Sequence, residues 1–70
     1  MTPARPRVRN GIRELRTARG LSQGELADLV DATRQTINAI EQEKYAPSLE
    51  LAFRIARAFG VSFEDVWTFR

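Results

Sequence analysis

The sequence predicts a small, mainly α-helical domain of five short helices, with a small β element formed by the two termini. Two observations support this fold class. Serine, threonine and asparagine residues recur directly before segments of helically spaced apolar residues, which is where N-cap residues stand. The two ends of the chain instead alternate polar residues with β-branched or aromatic ones, a pattern typical of strands. At 70 residues, the chain has room for one domain.

Start and stop signals place the five helices along the chain. The expected N-cap residues are Asn10, Ser22, Thr33, Ser48 and Ser62. Glu25 and Asp65 each stand three positions after a capping serine and complete the pattern of a capping box. Gly20 and Gly60 stand where helices are expected to end. The predicted helices span residues 10–19, 22–30, 33–42, 48–59 and 62–66.

Composition narrows the classes of function. The chain contains no cysteine and no histidine, so we expect no metal site and no cofactor. Residues 1–9 lack the apolar run of a signal peptide, and no segment reaches the length of a membrane span. We therefore expect a cytoplasmic protein without a membrane partner. An enzyme is disfavoured, because the neighbouring Glu64 and Asp65 are explained as helix-start charges.

Positive charge is concentrated at the N-terminal end. The net charge of the chain is +2, but residues 1–20 contain six arginines and a single glutamate, a local balance of +5. Such a basic end indicates an anionic partner. Charge alone leaves nucleic acid and an ordinary solvated surface equally open.

The third predicted helix has an apolar side and a polar side. At about 100° per residue, the apolar side carries Thr33, Ile37 and Ile40, and the polar side carries Arg34, Gln35, Asn38 and Gln42. Arginine can donate two hydrogen bonds to guanine O6 and N7, and glutamine or asparagine can match adenine N6 and N7. These residues alone still leave a plain polar surface as likely as DNA reading.

The second predicted helix favours DNA reading. It ends only a few residues before the third helix begins, and the small Ala27 lies on its apolar side with Leu26 and Val30. A small residue at this position allows the apolar side of the third helix to cross closely. This spacing describes a helix-turn-helix, whose second helix enters the major groove.

The chain resembles the Cro and phage-repressor (XRE) family of helix-turn-helix transcriptional regulators, short single-domain type, over nearly its whole length. The matching motifs are LSQGELA at 21–27, TRQTINAIE at 33–41, KY at 44–45, PSL at 47–49 and FGVS at 59–62. They occur in the family's order and at consistent spacing. The resemblance implies a five-helix, repressor-type domain. Asp31 departs from the glycine that the family often has in the turn, and Gly24 replaces a better helix former.

The resemblance also implies site residues by position. The residues expected at bases are Thr33, Arg34, Gln35 and Asn38. The residues expected at the DNA backbone are Gln23, Thr36, Lys44 and Tyr45, and the basic arm adds Arg7 and Arg9. The departures at Asp31 and Gly24 are expected to leave the motif intact and to bear on stability rather than on function.

Arg16 lies on the apolar side of the first predicted helix beside Ile12 and Leu15, where a charge needs a partner. The resemblance places Arg16 with Glu41 in a partly buried bridge between the first and third helices. Two alternatives stay open, in which Arg16 extends to water or binds a phosphate. Arg19 is the weaker candidate for the bridge.

The fourth predicted helix is apolar over too wide a surface for a single core stripe, so part of it is expected to meet a second subunit. The residues expected at this dimer interface are Phe53, Phe59, Trp67 and Phe69. The resemblance implies an antiparallel sheet between the terminal strands of two subunits. The alternative is a tail that packs on its own chain.

These observations predict a DNA-binding transcriptional regulator, a repressor rather than an activator, that binds a palindromic operator as a homodimer. Residues 1–9 form a basic arm or short strand, residues 10–66 the helix-turn-helix domain, and residues 67–70 a C-terminal strand and dimerisation tail. The alternative function is an antitoxin that neutralises a protein partner and also binds its own promoter.

Overall fold

Five helices and a two-stranded antiparallel sheet make up the structure, a computed structural model that describes residues 6–70. The elements are β1 (Val8–Asn10), α1 (Ile12–Ala18), α2 (Gln23–Leu29), α3 (Arg34–Glu41), α4 (Leu49–Phe59), α5 (Phe63–Val66) and β2 (Trp67–Phe69). The predicted fold class, with five helices and a terminal β element, is confirmed. Residues 1–5, the first part of the predicted basic arm, lie outside the described residues.

Side-chain oxygens cap the N-terminal ends of three helices. The N-cap residues Ser22, Thr33 and Ser48 each accept the backbone N–H of the residue three positions on. The Glu25 carboxylate accepts the backbone N–H of Ser22 at 2.9 Å, which completes the capping box of α2. The helix starts at these positions are therefore local features of the sequence.

The first helix begins later than predicted. Gly11 is its N-cap, and Asn10 still belongs to β1, so the prediction of Asn10 as the cap was wrong. Asn10 has a different local role. Its Oδ1 accepts from the Ile12 N–H at 3.2 Å, and its Nδ2 donates to the Ile40 carbonyl at 2.9 Å. Asn10 thus ties β1 to the start of α1 and to the end of α3.

One apolar core lies between the helices. Its fully buried side chains are Ile12, Leu26, Val30, Ile37, Ile40, Ile55 and Val66. Ala27 is also buried, as the close crossing of α2 and α3 requires. Asp31 in the turn between these helices has a φ of 59°, a left-handed conformation that aspartate adopts more readily than most residues. The turn therefore forms without the glycine that the family often has there.

The two termini pair with each other within one chain. Val8 lies opposite Phe69 and Asn10 opposite Trp67 in the antiparallel sheet. This pairing corrects the expectation of a sheet between the terminal strands of two subunits. The strands meet within the chain because the end of α5 adjoins the start of α1, where the Gly11 N–H donates to the Val66 carbonyl at 2.9 Å.

Two residues expected at the dimer interface belong to the core of the chain itself. Phe59 and Trp67 are both buried, and the Trp67 indole N–H donates to the Ala52 carbonyl of α4 at 3.1 Å. The width of the apolar side of α4 is partly explained by this packing of β2 against it. Phe59 and Trp67 therefore offer no surface to a second subunit.

Two general properties hold for residues 6–70. None of their helices combines the length and the apolar character needed to cross a membrane. Their acidic side chains also form no group with the arrangement of a metal site.

Candidate nucleic-acid interface

The candidate interface is the exposed side of α3 together with the start of α2. The opposite side of α3 docks on the core through the buried Ile37 and Ile40. Arg34, Gln35 and Asn38 are all exposed and fall within about 100° of one another around the helix axis. The structure therefore brings together, on one solvent-facing side, the three α3 residues expected at bases.

Thr33, the fourth residue expected at bases, caps the start of α3. Its Oγ1 accepts from the Thr36 N–H at 3.1 Å and lies 2.9 Å from the Thr36 hydroxyl. Thr33 is exposed and Thr36 is half-buried. Both hydroxyls stand at the N-terminal end of the helix, where the helix dipole favours negative charge.

Asn38 is held by two glutamine side chains. Its Oδ1 accepts from Gln23 Nε2 at 3.1 Å and from Gln42 Nε2 at 3.2 Å. Gln23 is the first residue of α2, and its Nε2 also lies 3.3 Å from Glu41 Oε1. The start of α2 is thus linked by hydrogen bonds to the exposed side of α3 and to a carboxylate beneath it.

The contact between Gln23 and Asn38 was missed in the sequence. The sequence predicts Gln23 at the DNA backbone and Asn38 at the bases, and it does not predict a contact between the two side chains. The signal that could have found the contact is the crossing of α2 and α3, which brings the first residue of one helix over the middle of the other.

Arg16 and Glu41 join α1 to α3 beneath this surface. Arg16 Nε lies 2.8 Å from Glu41 Oε2, and Arg16 Nη2 lies 3.1 Å from Glu41 Oε1. This is a bidentate pair, the strongest geometry for an arginine and a carboxylate. Arg16 also donates to the Leu21 carbonyl at 2.9 Å. The Glu41 side chain is 0% exposed, so its charge depends on these partners.

The surroundings of Glu41 act on its pKa in opposite directions. Burial of the carboxylate raises the pKa, whereas the hydrogen bonds from Arg16 and Gln23 and the charges of Arg16 and Arg13 lower it. The pKa of Glu41 is lowered on balance. The hydrogen bond to Glu41 raises the pKa of Arg16 despite partial burial. Both members of the pair are therefore held in their charged forms.

Lys44 and Tyr45 lie exposed in the loop that follows α3. Arg7 and Arg9, expected at the DNA backbone, lie near the same loop. Arg7 Nη2 is 3.3 Å and Arg9 Nη1 is 3.2 Å from Glu43 Oε2. The positive charge of these two arginines is therefore partly neutralised within the chain.

A second surface feature is an apolar groove between α4 and the terminal sheet. The groove has a volume of about 310 Å³, and its lining includes Val8, Pro47, Leu49, Phe63, Trp67 and Phe69. Val8, Leu49 and Phe69 are exposed there. Phe53, also exposed, lies beside the groove, with its ring centroid 4.8 Å from that of Phe63. Phe53 and Phe69 are thus the predicted dimer residues that remain accessible.

Comparison with known proteins places this geometry in a family. The helix-turn-helix model HTH_3 matches residues 12–66. An uncharacterised HTH-type transcriptional regulator of Methanothermobacter thermautotrophicus is 58% identical over 61 residues, which cover 86% of this chain and 88% of the relative. The uncharacterised HTH-type transcriptional regulator YgzD of Bacillus subtilis is 47% identical over 60 residues, which cover 86% of this chain and 91% of the relative.

A solved structure shares both the sequence pattern and the fold. The restriction-modification controller protein C.AhdI of Aeromonas hydrophila superposes with a TM-score of 0.74 at 35% sequence identity. The match covers 77% of this chain and 82% of that protein.

Proposed function

The chain belongs to the HTH_3 helix-turn-helix family of DNA-binding transcriptional regulators, and on this premise we propose that it is a repressor that binds a palindromic operator as a homodimer. The observation that carries the proposal is the grouping of Arg34, Gln35 and Asn38 on one exposed side of α3. In the bound state, this side of α3 lies in the major groove.

Base reading is assigned to Thr33, Arg34, Gln35 and Asn38. Arg34 has the strongest chemical case, because its guanidinium can bond to guanine O6 and N7 at once. Its side chain is exposed at the first turn of α3. The buried Ile37 supports this assignment, since it fixes the rotation of α3 against the core and so holds the exposed side outward.

Contacts to the DNA backbone are assigned to residues that surround this side of α3. They are Gln23, Thr36, Lys44 and Tyr45, with Arg7 and Arg9 as further contributors. Lys44 and Tyr45 are exposed beyond the C-terminal end of the helix, and Thr36 lies near its N-terminal end. Gln23 lies over the middle of the helix, where it contacts Asn38. Arg7 and Arg9 would have to exchange contact with Glu43 for contact with phosphate, so we expect a smaller contribution from each.

The homodimer is supported by specificity and by the apolar groove. One reading helix spans too few base pairs for strong discrimination, and a twofold dimer doubles the site. The two copies of α3 would then enter successive major grooves about 34 to 36 Å apart. Leu49 and Phe69 leave apolar surface exposed in the groove, and contact with a second copy would remove it from water.

The proposal of repression rests on two surfaces, the polar side of α3 and the apolar groove. A repressor needs only to occupy its operator, whereas an activator also needs a surface that contacts the transcription machinery. In the proposed dimer, the polar side of α3 binds DNA and the apolar groove binds the second copy. Occupancy by such a dimer is sufficient to block a promoter.

Selection of bound sequences from a random DNA library, followed by titration at fixed salt, tests the proposal. We expect Arg34→Ala and Asn38→Ala each to weaken specific binding by about 1 to 3 kcal/mol. Both side chains are exposed, so the unfolding midpoint should be unchanged. Arg54→Ala is the matched control, because Arg54 is an exposed arginine paired with Glu50 on α4. Unchanged sequence preference in both α3 variants would refute the assignment of α3 as the reading helix.

A further inference from the structure

We infer that Gln23 and Glu41 are positioning residues that fix the side-chain amide of Asn38, so that its NH2 group rather than its oxygen faces the DNA. The inference rests on the base-reading role proposed for Asn38. It goes further because it assigns a direction to the hydrogen bonds that Asn38 makes, and therefore a preferred base.

Glu41, which lies beneath the exposed side of α3, determines which atom of the Gln23 amide points toward it. An ionised carboxylate only accepts hydrogen bonds, and the lowered pKa of Glu41 keeps this carboxylate ionised. Its two oxygens are held in place by Arg16. Whatever part of the Gln23 amide faces Glu41 must therefore be a donor. The Gln23 atom at 3.3 Å from Glu41 Oε1 is indeed the nitrogen Nε2.

The orientation of the Gln23 amide in turn determines the orientation of the Asn38 amide. The same Nε2 lies 3.1 Å from the Asn38 side chain, so the atom that Asn38 turns toward it must be the acceptor Oδ1. Gln42 Nε2 donates to the same oxygen at 3.2 Å. An amide oxygen has two lone pairs, and both are now occupied. Within residues 6–70, Asn38 Nδ2 donates to no protein acceptor, and its side chain is exposed.

The orientation changes the base that Asn38 prefers. Asparagine reads adenine by donating to N7 and accepting from the N6 amino group. With Oδ1 already occupied, Asn38 lacks the accepting half of that pair. Its two outward N–H donors instead match the two acceptors of guanine, O6 and N7. The residue type alone favours adenine, whereas the hydrogen-bond network favours guanine at the base pair that faces Asn38.

DNA selection with matched variants tests the base preference. The sequences selected by the natural chain and by Asn38→Ala identify the base pair that Asn38 reads, because preference at that pair is lost. There we expect the natural chain to favour guanine over adenine by about tenfold or more. Gln23→Met removes the donor that Glu41 orients, keeps the Arg16–Glu41 pair and leaves Gln42 as the one remaining donor to Asn38, so this ratio should fall. Arg57→Gln, an exposed substitution on α4, should leave the ratio unchanged.

A second variant tests the same inference if Gln23→Met is poorly folded. Asn38→Asp retains an oxygen for Gln23 and turns an acceptor toward the DNA. We expect its preference to move from guanine to the bases that present an amino group, cytosine and adenine. A natural chain that prefers adenine at this base pair overturns the inference. So does a Gln23→Met variant that is folded and retains the natural ratio.

An NMR measurement on the free chain separates failure of this inference from failure of the proposed function. We expect the side-chain amide protons of Gln23 to be protected from exchange, and those of Asn38 to exchange at the rate of solvent-exposed amides. If the chain selects no DNA sequence, the proposed function fails, but this pattern still supports the orientation. The reverse pattern, with the Asn38 amide protons protected, overturns it.

Discussion

Glu41 is a charged side chain of α3 that is fully shielded from solvent and lies between Arg16 of α1 and Gln23 of α2. Its two oxygens accept from Arg16 on one side, and Oε1 lies within hydrogen-bonding distance of Gln23 on the other. A buried charge of this kind is tolerated only while its partners are present. The residue therefore couples the stability of the domain to the arrangement of the interface.

Truncation of Glu41 should be strongly destabilising. Glu41→Ala leaves Arg16 partly buried without its carboxylate, and we expect a loss of about 3 kcal/mol in the free energy of unfolding. Glu50→Ala is the matched control, because Glu50 is also paired with an arginine but its side chain is 75% exposed. An exposed pair contributes about 1 kcal/mol or less. Urea denaturation of both variants measures the difference. Equal, small losses would contradict a structural role for the buried pair.

The lowered pKa of Glu41 also predicts how stability depends on pH. A carboxyl group whose pKa is lower in the folded state contributes its full stabilisation above the pKa of the unfolded chain, about 4.3. This contribution is lost as the pH falls below that value and through the lowered pKa of the folded state. Urea denaturation between pH 7 and pH 3 should show a smaller acid-induced loss for Glu41→Gln than for the natural chain. Glu50→Gln, a substitution of an exposed carboxylate, is the matched control. Parallel curves for Glu41→Gln and the natural chain would exclude Glu41 as the titrating group.

At the scale of elements, the turn between α2 and α3 sets the angle between these two helices. Asp31 adopts a φ of 59° in this turn. A left-handed conformation costs a residue with a Cβ about 1 to 2 kcal/mol, and aspartate less than alanine because its short polar side chain bonds locally. The conformation of this one residue therefore contributes to the geometry of the whole helix pair.

Substitutions at Asp31 should separate backbone strain from side-chain effects. We expect Asp31→Ala to lower the free energy of unfolding by about 1 kcal/mol, and Asp31→Gly to change it by less. Asp28→Ala is the control, because Asp28 is exposed within α2 and alanine favours the helix. Thermal unfolding measures all three. The strain argument fails if Asp31→Ala and Asp28→Ala have the same effect.

Elements that depend on local signals were predicted well, and those that depend on tertiary contacts were not. Ser22, Thr33 and Ser48 cap their helices through bonds to residues three positions away, so the sequence contains the whole interaction. Asn10 was misassigned because its partner Ile40 is distant in sequence. The fixed orientation of Asn38 was missed for the same reason, since it depends on the crossing of two helices.

At the scale of the whole molecule, apolar pattern alone does not separate a core from an interface. Trp67 and Phe69 fall on the same face of β2, yet Trp67 is buried and Phe69 is 71% exposed. Burial stops where residues 6–70 place no further surface over the sheet, and no sequence period marks that limit. Removal of residues 67–70, the predicted dimerisation tail, would therefore also remove part of the core.

Substitutions confined to the apolar groove are a cleaner test of dimerisation. Leu49 lines the groove and is 68% exposed, and Phe69 lies with it at the edge of the sheet. Because neither side chain is buried within the chain, the double variant Leu49→Ser, Phe69→Ser should keep its unfolding midpoint and shift toward monomers. Loss of the dimer should also weaken operator binding, while the α3 side chains stay unchanged.

The control for the groove is Leu29→Ser, because Leu29 is 62% exposed but lies at the end of α2, outside the groove. This variant should sediment as the natural chain does. Sedimentation at micromolar concentration, with DNA titrations at one fixed salt concentration, measures both effects, since phosphate contacts make affinity depend strongly on salt. A natural chain that sediments as a monomer would refute the homodimer. A double variant that dimerises and binds its operator normally would place the dimer contact elsewhere, because an interface built on this groove cannot lose two of its exposed apolar side chains without weakening.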